Sequence, residues 1–177
     1  SKSTAKIMSV LFLFLGVAIS VNVNAQTQTI LTVGNTFASD TVTCIVGDSI
    51  IFNLGGAHNA VEVDQTTYIA NGITSNGGFN FPFGATDTVI PTLAQTYYYV
   101  CTPHVGLSPP MKGVIIAINV TLTASPASAV GVSDGQITVS VNGGTGPYTY
   151  IFQNLSTLTG ATFDTSGSVI DWNAVAG

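Results

Sequence analysis

The sequence predicts an all-β protein. Thr, Val, Ile, Gly, Asn and Tyr dominate, turn residues recur about every eight to twelve positions, and no stretch sustains a helical period. Short runs alternate apolar with polar residues, which places every second side chain on one face of a strand. This patterning, over a length suited to one domain plus a small module, points to a β-sandwich followed by a second, smaller β unit.

Residues 1–25 read as a secretion signal. Lys2 and Lys6 form a basic start, Ile7 to Val21 is almost wholly apolar, and Val23-Asn24-Ala25 has the small-residue cleavage pattern, with Gln26 as the mature N-terminus. The apolar run falls short of the roughly 20 residues a membrane-spanning helix needs. An uncleaved N-terminal anchor is the alternative. No later stretch looks membrane-spanning, so no stable membrane span is expected once the signal is removed. Export implies a periplasmic or extracellular, cell-surface location.

Removing that segment leaves Lys112 as the single Lys or Arg against eight acids, a formal charge of −7. Nucleic acid is thereby excluded as a partner, because neutralising phosphates takes Lys and Arg that are absent. A basic membrane-binding patch is excluded for the same reason.

Residues 26–120 form the expected main domain. The predicted strands are Gln28 to Phe37, Asp40 to Val46, Ser49 to Leu54, Asn59 to Asp64, Thr86 to Ile90, Thr96 to Cys101 and Gly113 to Val120. In the second strand the alternation turns Val42, Cys44 and Val46 inward. Gly47-Asp48 makes a turn, and Gly55-Gly56-Ala57 breaks the pattern just before His58. Tyr68 to Pro82, rich in Gly and Asn, is expected to be a long irregular connection.

Residues 121–132, with the small-residue run Ala124-Ser125-Pro126-Ala127-Ser128-Ala129, read as a linker. Residues 133–177 then form a small module. Gly135 to Val141 is a clean alternating strand, Asn142 to Pro147 a turn, and Tyr148 to Phe152 a further strand. The module holds no Cys, His or Met and therefore no soft metal ligands.

The chemistry gathers at Tyr97-Tyr98-Tyr99-Val100-Cys101-Thr102-Pro103-His104 and the proline-rich loop to Met111-Lys112-Gly113. A thiol, an imidazole and a thioether fall on a strand end and the loop after it. The second of the chain's two histidines, His58, lies 43 residues before Cys101. Two His, one Cys and a weak axial Met suit a copper ion that changes geometry little between Cu(I) and Cu(II). Tyr97 and Tyr99 share the face of Cys101 and are expected to pack in the core below it.

On these residues the stretch 27–120 resembles the plastocyanin-like cupredoxins. The matching features are Gly47-Asp48 entering an apolar strand, His58-Asn59-Ala60-Val61, and the aromatic strand into Cys101-x-Pro103-His104 followed by Met111-x-Gly113. The resemblance implies a Greek-key cupredoxin sandwich holding one type 1 copper ion. His58, Cys101 and His104 would be the equatorial ligands and Met111 the axial one. Asn59 would tie the two ligand loops together around the sulfur. Two departures stand out: the loop Val105 to Pro110 is longer than plastocyanin's, and Val100 replaces a tyrosine before the Cys.

The module resembles the short immunoglobulin-like β-sandwich repeat of adhesins from gliding bacteria, and the resemblance covers about residues 124–177. The matching residues are Ser133-Asp134-Gly135, the Ile-x-Val-x-Val strand, and Gly143-Gly144 with Pro147-Tyr148-x-Tyr150. In that family another Tyr/Thr/Val-rich strand follows the point reached at Ala176-Gly177. The module is therefore expected to be incomplete, and the lack of Met at position 1 fits a fragment.

These resemblances imply an exported carrier of single electrons. Redox partner proteins would dock on an apolar collar, Val105, Leu107, Pro109 and Pro110, around an exposed His104, with His58 buried. An adhesion or binding module that captures copper, or uses the fold structurally, is the alternative. A Cys44–Cys101 disulfide would consume the thiolate, but Cys44 at an inward position also packs as a small hydrophobe. Enzymatic readings lack their parts. No histidines remain for the further centres of a multicopper oxidase, and there is neither a G-x-S-x-G nucleophile motif nor a phosphate-binding glycine loop.

Overall fold

The computed structural model describes residues 9–11, 20–22, 25–125, 135–145, 148–154, 159–165 and 169–174. The chain divides into two compact units, residues 25–119 on one hand and 1–24 together with 120–177 on the other. At the start of the chain, β1 (Ser9–Leu11) pairs antiparallel with β2 (Ser20–Asn22). The rest of the expected signal segment up to Asn24 lies outside the described residues.

The unit 25–119 is a two-sheet sandwich. One sheet contains β3 (Thr27–Val33), β4 (Thr36–Phe37), β6 (Ser49–Asn53) and β9 (Thr86–Val89), in the order β4-β3-β6-β9. The other contains β5 (Thr41–Ile45), β7 (Ala60–Val63), β8 (Ser75–Phe81), β10 (Thr96–Val100) and β11 (Lys112–Ser125). There β11 pairs with both β10 and β5, β10 with β7, and β7 with β8. Two pairs, β3 with β6 and β5 with β11, are parallel. Parallel neighbours cannot be joined by a tight hairpin, so the chain passes repeatedly from sheet to sheet and closes one core between them.

That core is aromatic. The period-2 alternation sends Ile50 and Phe52 of β6 and Tyr97 and Tyr99 of β10 inward, and all are buried, as the alternation predicts. The Phe52 ring meets Tyr99 edge-on at 5.1 Å and lies 5.3 Å from Phe81 and 5.4 Å from Phe79, while Phe37 meets Tyr99 at 4.9 Å. Edge-to-face contacts of this kind add about 0.5–1.5 kcal/mol each beyond the area they bury. Val42 and Cys44 are inward and buried as expected, and both cysteines are free thiols.

Several expectations are corrected. The first long strand is a hairpin, because Gly34 at φ +55° turns the chain between β3 and β4. The stretch Tyr68 to Pro82 is ordered. A short helix, α1 (Gln65–Ile69), is capped by Asp64 accepting from the Thr67 N–H, and β8 follows. Alternation also fails in β7, where all four residues are buried. Its outward Val63, with Val100 and Val105, forms a second cluster covered by Tyr68 of α1 and by Tyr98.

In the second unit, β12 (Gly135–Asn142) pairs antiparallel with β15 (Val169–Ala174), and β13 (Tyr148–Asn154) with β14 (Thr159–Thr165). Val139 and Val141 are buried, as alternation predicts for the first of these strands. The expected linker begins as strand, since β11 runs on to Ser125, and residues 126–134 lie outside the described residues. Among the described residues no helix is long and apolar enough to cross a membrane.

Candidate metal centre

Cys101 sits one residue beyond β10, in phase with Tyr97 and Tyr99. The strand therefore carries its sulfur to the end of the aromatic core, where it is fully buried. Immediately after it the chain folds back on itself. The N–H groups of His104 and Val105 donate to the Cys101 carbonyl at 3.0 and 2.9 Å, Leu107 and Met111 donate to the His104 carbonyl, and Cys101 donates to the Met111 carbonyl at 3.0 Å. Met111 is 1 % exposed and sits in the core cluster, so these bonds place it at the base of the loop.

His58 arrives from the loop between β6 and β7. Its N–H donates to the Gly55 carbonyl, and its own carbonyl accepts from Gly84. Gly55 is closely packed. A Cβ there would lie 3.1 Å from the Thr32 hydroxyl and 3.3 Å from Cδ2 of the His58 ring, and the Gly55 N–H donates to that hydroxyl at 2.8 Å. His58 is buried, as expected from sequence, whereas His104, expected to be exposed, is half-buried.

Among the described residues the structure gathers one set of three metal-binding side chains, His58, Cys101 and His104. The two Nδ1 atoms are 3.2 Å apart. Sγ of Cys101 is 3.3 Å from Nδ1 of His104 and 3.8 Å from Nδ1 of His58. A triangle of those sides has its centre about 2.0 Å from each corner, the range of metal–imidazole bonds and slightly short of a metal–thiolate bond. Two imidazole nitrogens and a sulfur this close, two of the three residues buried, fit one soft or borderline metal ion. The trigonal His₂Cys set is that of a type 1 copper centre.

The electrostatics suit a neutral His58 ring and a held thiol. Burial, then the facing His104 ring, lowers the His58 pKa, opposed by a hydrogen bond to the Gly34 backbone. Burial raises that of Cys101, while hydrogen bonds from the backbone N–H groups of Asn59 and His104 oppose it. A cation held there would take the place of the thiol proton, so metal uptake would release it.

Asn59 does what the resemblance implies. Its Oδ1 accepts from the Thr102 N–H at 2.8 Å, and its Nδ2 donates to the Thr102 hydroxyl at 3.0 Å. One side chain thus joins the residue after His58 to the residue after Cys101. Sequence reasoning missed Thr102, the Gly34 carbonyl and the Thr32–Gly55 contact. A hydroxyl residue directly after the cysteine was the one visible signal. It also misplaced Val105, which the bond to the Cys101 carbonyl turns into the second cluster, 2 % exposed and outside the apolar collar.

With this geometry in hand, the chain compares with known proteins as follows. Residues 121–157 match the SprB repeat. Similar solved structures are cupredoxins. A Sinorhizobium pseudoazurin is 19 % identical over 52 % of this chain and 73 % of its own, at a TM-score of 0.41. The pseudoazurin of Methylobacterium extorquens AM1 is 19 % identical over 51 % and 74 %, at 0.39. Spinach plantacyanin is 21 % identical over 51 % and 99 %, at 0.38. No curated protein matches the chain.

Proposed function

We propose that the chain is an exported copper protein whose residues 25–119 carry one electron at a time, and that it is not an enzyme. The convergence of His58 Nδ1, Cys101 Sγ and His104 Nδ1 within 3.2–3.8 Å of one another carries this reading. Met111, buried at the base of the loop, is the axial ligand in this proposal. Copper, when bound, supplies the Cu(II)/Cu(I) couple. The protein's part is to hold its donors in one arrangement suited to both states, which the bonded loop and the Asn59–Thr102 link support.

His104, the half-exposed ligand, is where electrons enter and leave in this reading. Around it Leu107 is 44 % exposed, Pro109 is exposed and Pro110 half-buried. Phe83, beside the Gly84 that donates to the His58 carbonyl, is 56 % exposed. Redox partners would dock on this apolar surface. Leu107→Asp is expected to slow exchange with a partner while leaving the colour intact.

The test is to add Cu(II) to the metal-free protein and record visible and EPR spectra. An intense blue sulfur-to-copper band with narrow hyperfine splitting, abolished in Cys101→Ser, is expected. A colourless protein overturns the reading. The match of residues 121–157 to the SprB repeat favours a second reading, a cell-surface binding module in which this domain captures copper or is structural. A reversible couple with fast self-exchange favours the carrier over that module.

A further inference from the structure

Asp48 is a buried carboxylate that pairs with no cation among the described residues. It lies in the turn between β5 and β6 and is 4 % exposed. Its Oδ2 accepts from the Ile45 N–H at 2.8 Å and its Oδ1 from the Gln26 N–H at 2.7 Å. Both donors are neutral amides, whereas buried charges ordinarily have a charged partner. From Gln26 onward Lys112 is the single Lys or Arg, and it is engaged by the Tyr68 carbonyl and Asn71 Oδ1.

We propose that removal of residues 1–25 creates the missing partner, the freed α-ammonium of Gln26 forming a buried ion pair with Asp48. This rests on the exported reading above. Hydrolysis of the Ala25–Gln26 bond takes up one water; Ala25 leaves as a carboxylate, and the Gln26 nitrogen, protonated, becomes the ammonium. The atom that gains the charge is the one already 2.7 Å from Oδ1. It is held there, because the Gln26 carbonyl accepts from the Ser49 N–H at 2.9 Å and Thr27 pairs with Ser49 where β3 meets β6. The compact unit that contains the metal centre begins at Ala25. Processing therefore closes the first strand of the domain onto the turn that follows its third.

Two consequences follow from the chemistry. An ammonium has no lone pair, so Asp48 slows the ordinary fate of an N-terminal Gln, attack of its amine on its own side-chain amide with loss of ammonia. In addition, the pair is pH-dependent. A raised amine pKa stabilises the fold below the unfolded value of about 7.7–8.0, and that stability is lost as pH rises through the folded value. The titratable group beside Asp48 is the Cys44 thiol, pushed up to about 11 by burial first and the Asp48 charge second, so it stays neutral across that window.

The experiment compares the full chain recovered after export with the precursor made without export, each with and without Asp48→Asn. Mass spectrometry of the exported chain is expected to show an uncyclised Gln26 at its start. NMR titration is expected to place that amine one to two units above its ordinary value. At pH 6 the processed form should melt about 5 °C above the precursor, a gap that closes at alkaline pH and disappears in Asp48→Asn. A cyclised terminus, an amine titrating at its ordinary value, or a gap that survives Asp48→Asn overturns the ion pair and leaves export standing. An exported chain cut at another bond overturns the pair and leaves export standing, and a chain that is never cut or exported overturns the export reading and the pair together. The amine titration needs no variant, so it decides the matter even if Asp48→Asn does not fold.

Discussion

The two sides of the metal centre are built differently. His58 is held by the sandwich: its loop leans on Thr32 of β3 through Gly55, its carbonyl binds Gly84, and its ring reaches the Gly34 backbone. Cys101, His104 and Met111 are instead held by their own loop, whose backbone bonds run mostly among those three residues. The scaffold therefore fixes the buried ligand, and a self-bonded loop presents the half-exposed one. A metal site divided in this way can be preorganised on one side and open to a partner on the other.

The largest effect is expected where the loop rejoins the sheet. Gly113, paired with Tyr99 across β10 and β11, has no room for a side chain. The Tyr99 hydroxyl and ring carbon and the Asp40 carbonyl occupy the space a Cβ would take. Backbone on one side and a buried ring on the other leave little to move. Gly113→Ala should cost about 3 kcal/mol in denaturant unfolding. A loss below 1 kcal/mol would show that Tyr99 can withdraw, and that the loop's anchorage is softer than its bonding implies.

Next comes the link between the two sides. Asn59→Ala removes the side-chain bonds to Thr102 and leaves the Thr102 N–H without its acceptor, so about 2 kcal/mol of stability should go. Copper affinity should fall about 10–100-fold, measured by competition with a chelator. Unchanged affinity would mean that the two sides find their geometry independently.

How much of this was readable beforehand depended on what each residue had to do. Cys101, His104 and His58 were legible because metal donors of these types are few and their spacing is specific. The inward Tyr97 and Tyr99 were legible because one face of β10 packs in a single core. The outer layer was not. Alternation assumes a solvated outer face, but α1 and the ligand loop cover β7 and β10 there, burying Val63, Val100 and Val105. β8 was hidden by its glycines, which with the asparagines read as an irregular connection. Gly78 is there for contact: the Glu62 carboxylate, which accepts from Asn76 and from the Phe79 N–H, fills the place of its side chain.

On the scaffold side, Gly55→Ala should be milder than Gly113→Ala. The nearest atoms, the Thr32 hydroxyl at 3.1 Å and His58 Cδ2 at 3.3 Å, belong to side chains that can give way. About 1 kcal/mol is expected, but the ring that yields is a ligand. EPR hyperfine splitting should therefore change more in Gly55→Ala than in Gly113→Ala, the reverse of their order in stability. Equal spectral shifts would remove the distinction between a scaffold-held and a loop-held ligand.

The smallest effect tests whether the outer layer takes any part in the site. Lys112 follows Met111 directly. Its Nζ donates to the Tyr68 carbonyl at 2.8 Å and to Asn71 Oδ1 at 2.7 Å, and lies 4.2 Å from the centre of the Tyr68 ring. It thereby straps the end of the ligand loop to α1, while the Tyr68 ring lies 5.0 Å from that of Tyr98, tilted by 50°, on the face of β10 away from the core. The hydrogen bonds and cation–π contact of a partly exposed lysine together contribute about 1 kcal/mol. Lys112→Met keeps the apolar stem and removes the charge, so α1 amides should exchange faster with solvent while the copper spectrum stays the same. The loop's own bonds to Cys101 and His104 do not involve Lys112, which is why the spectrum should hold. If the spectrum shifts as well, the loop is held from outside as the His58 side is, and the two sides differ only in which layer supports them.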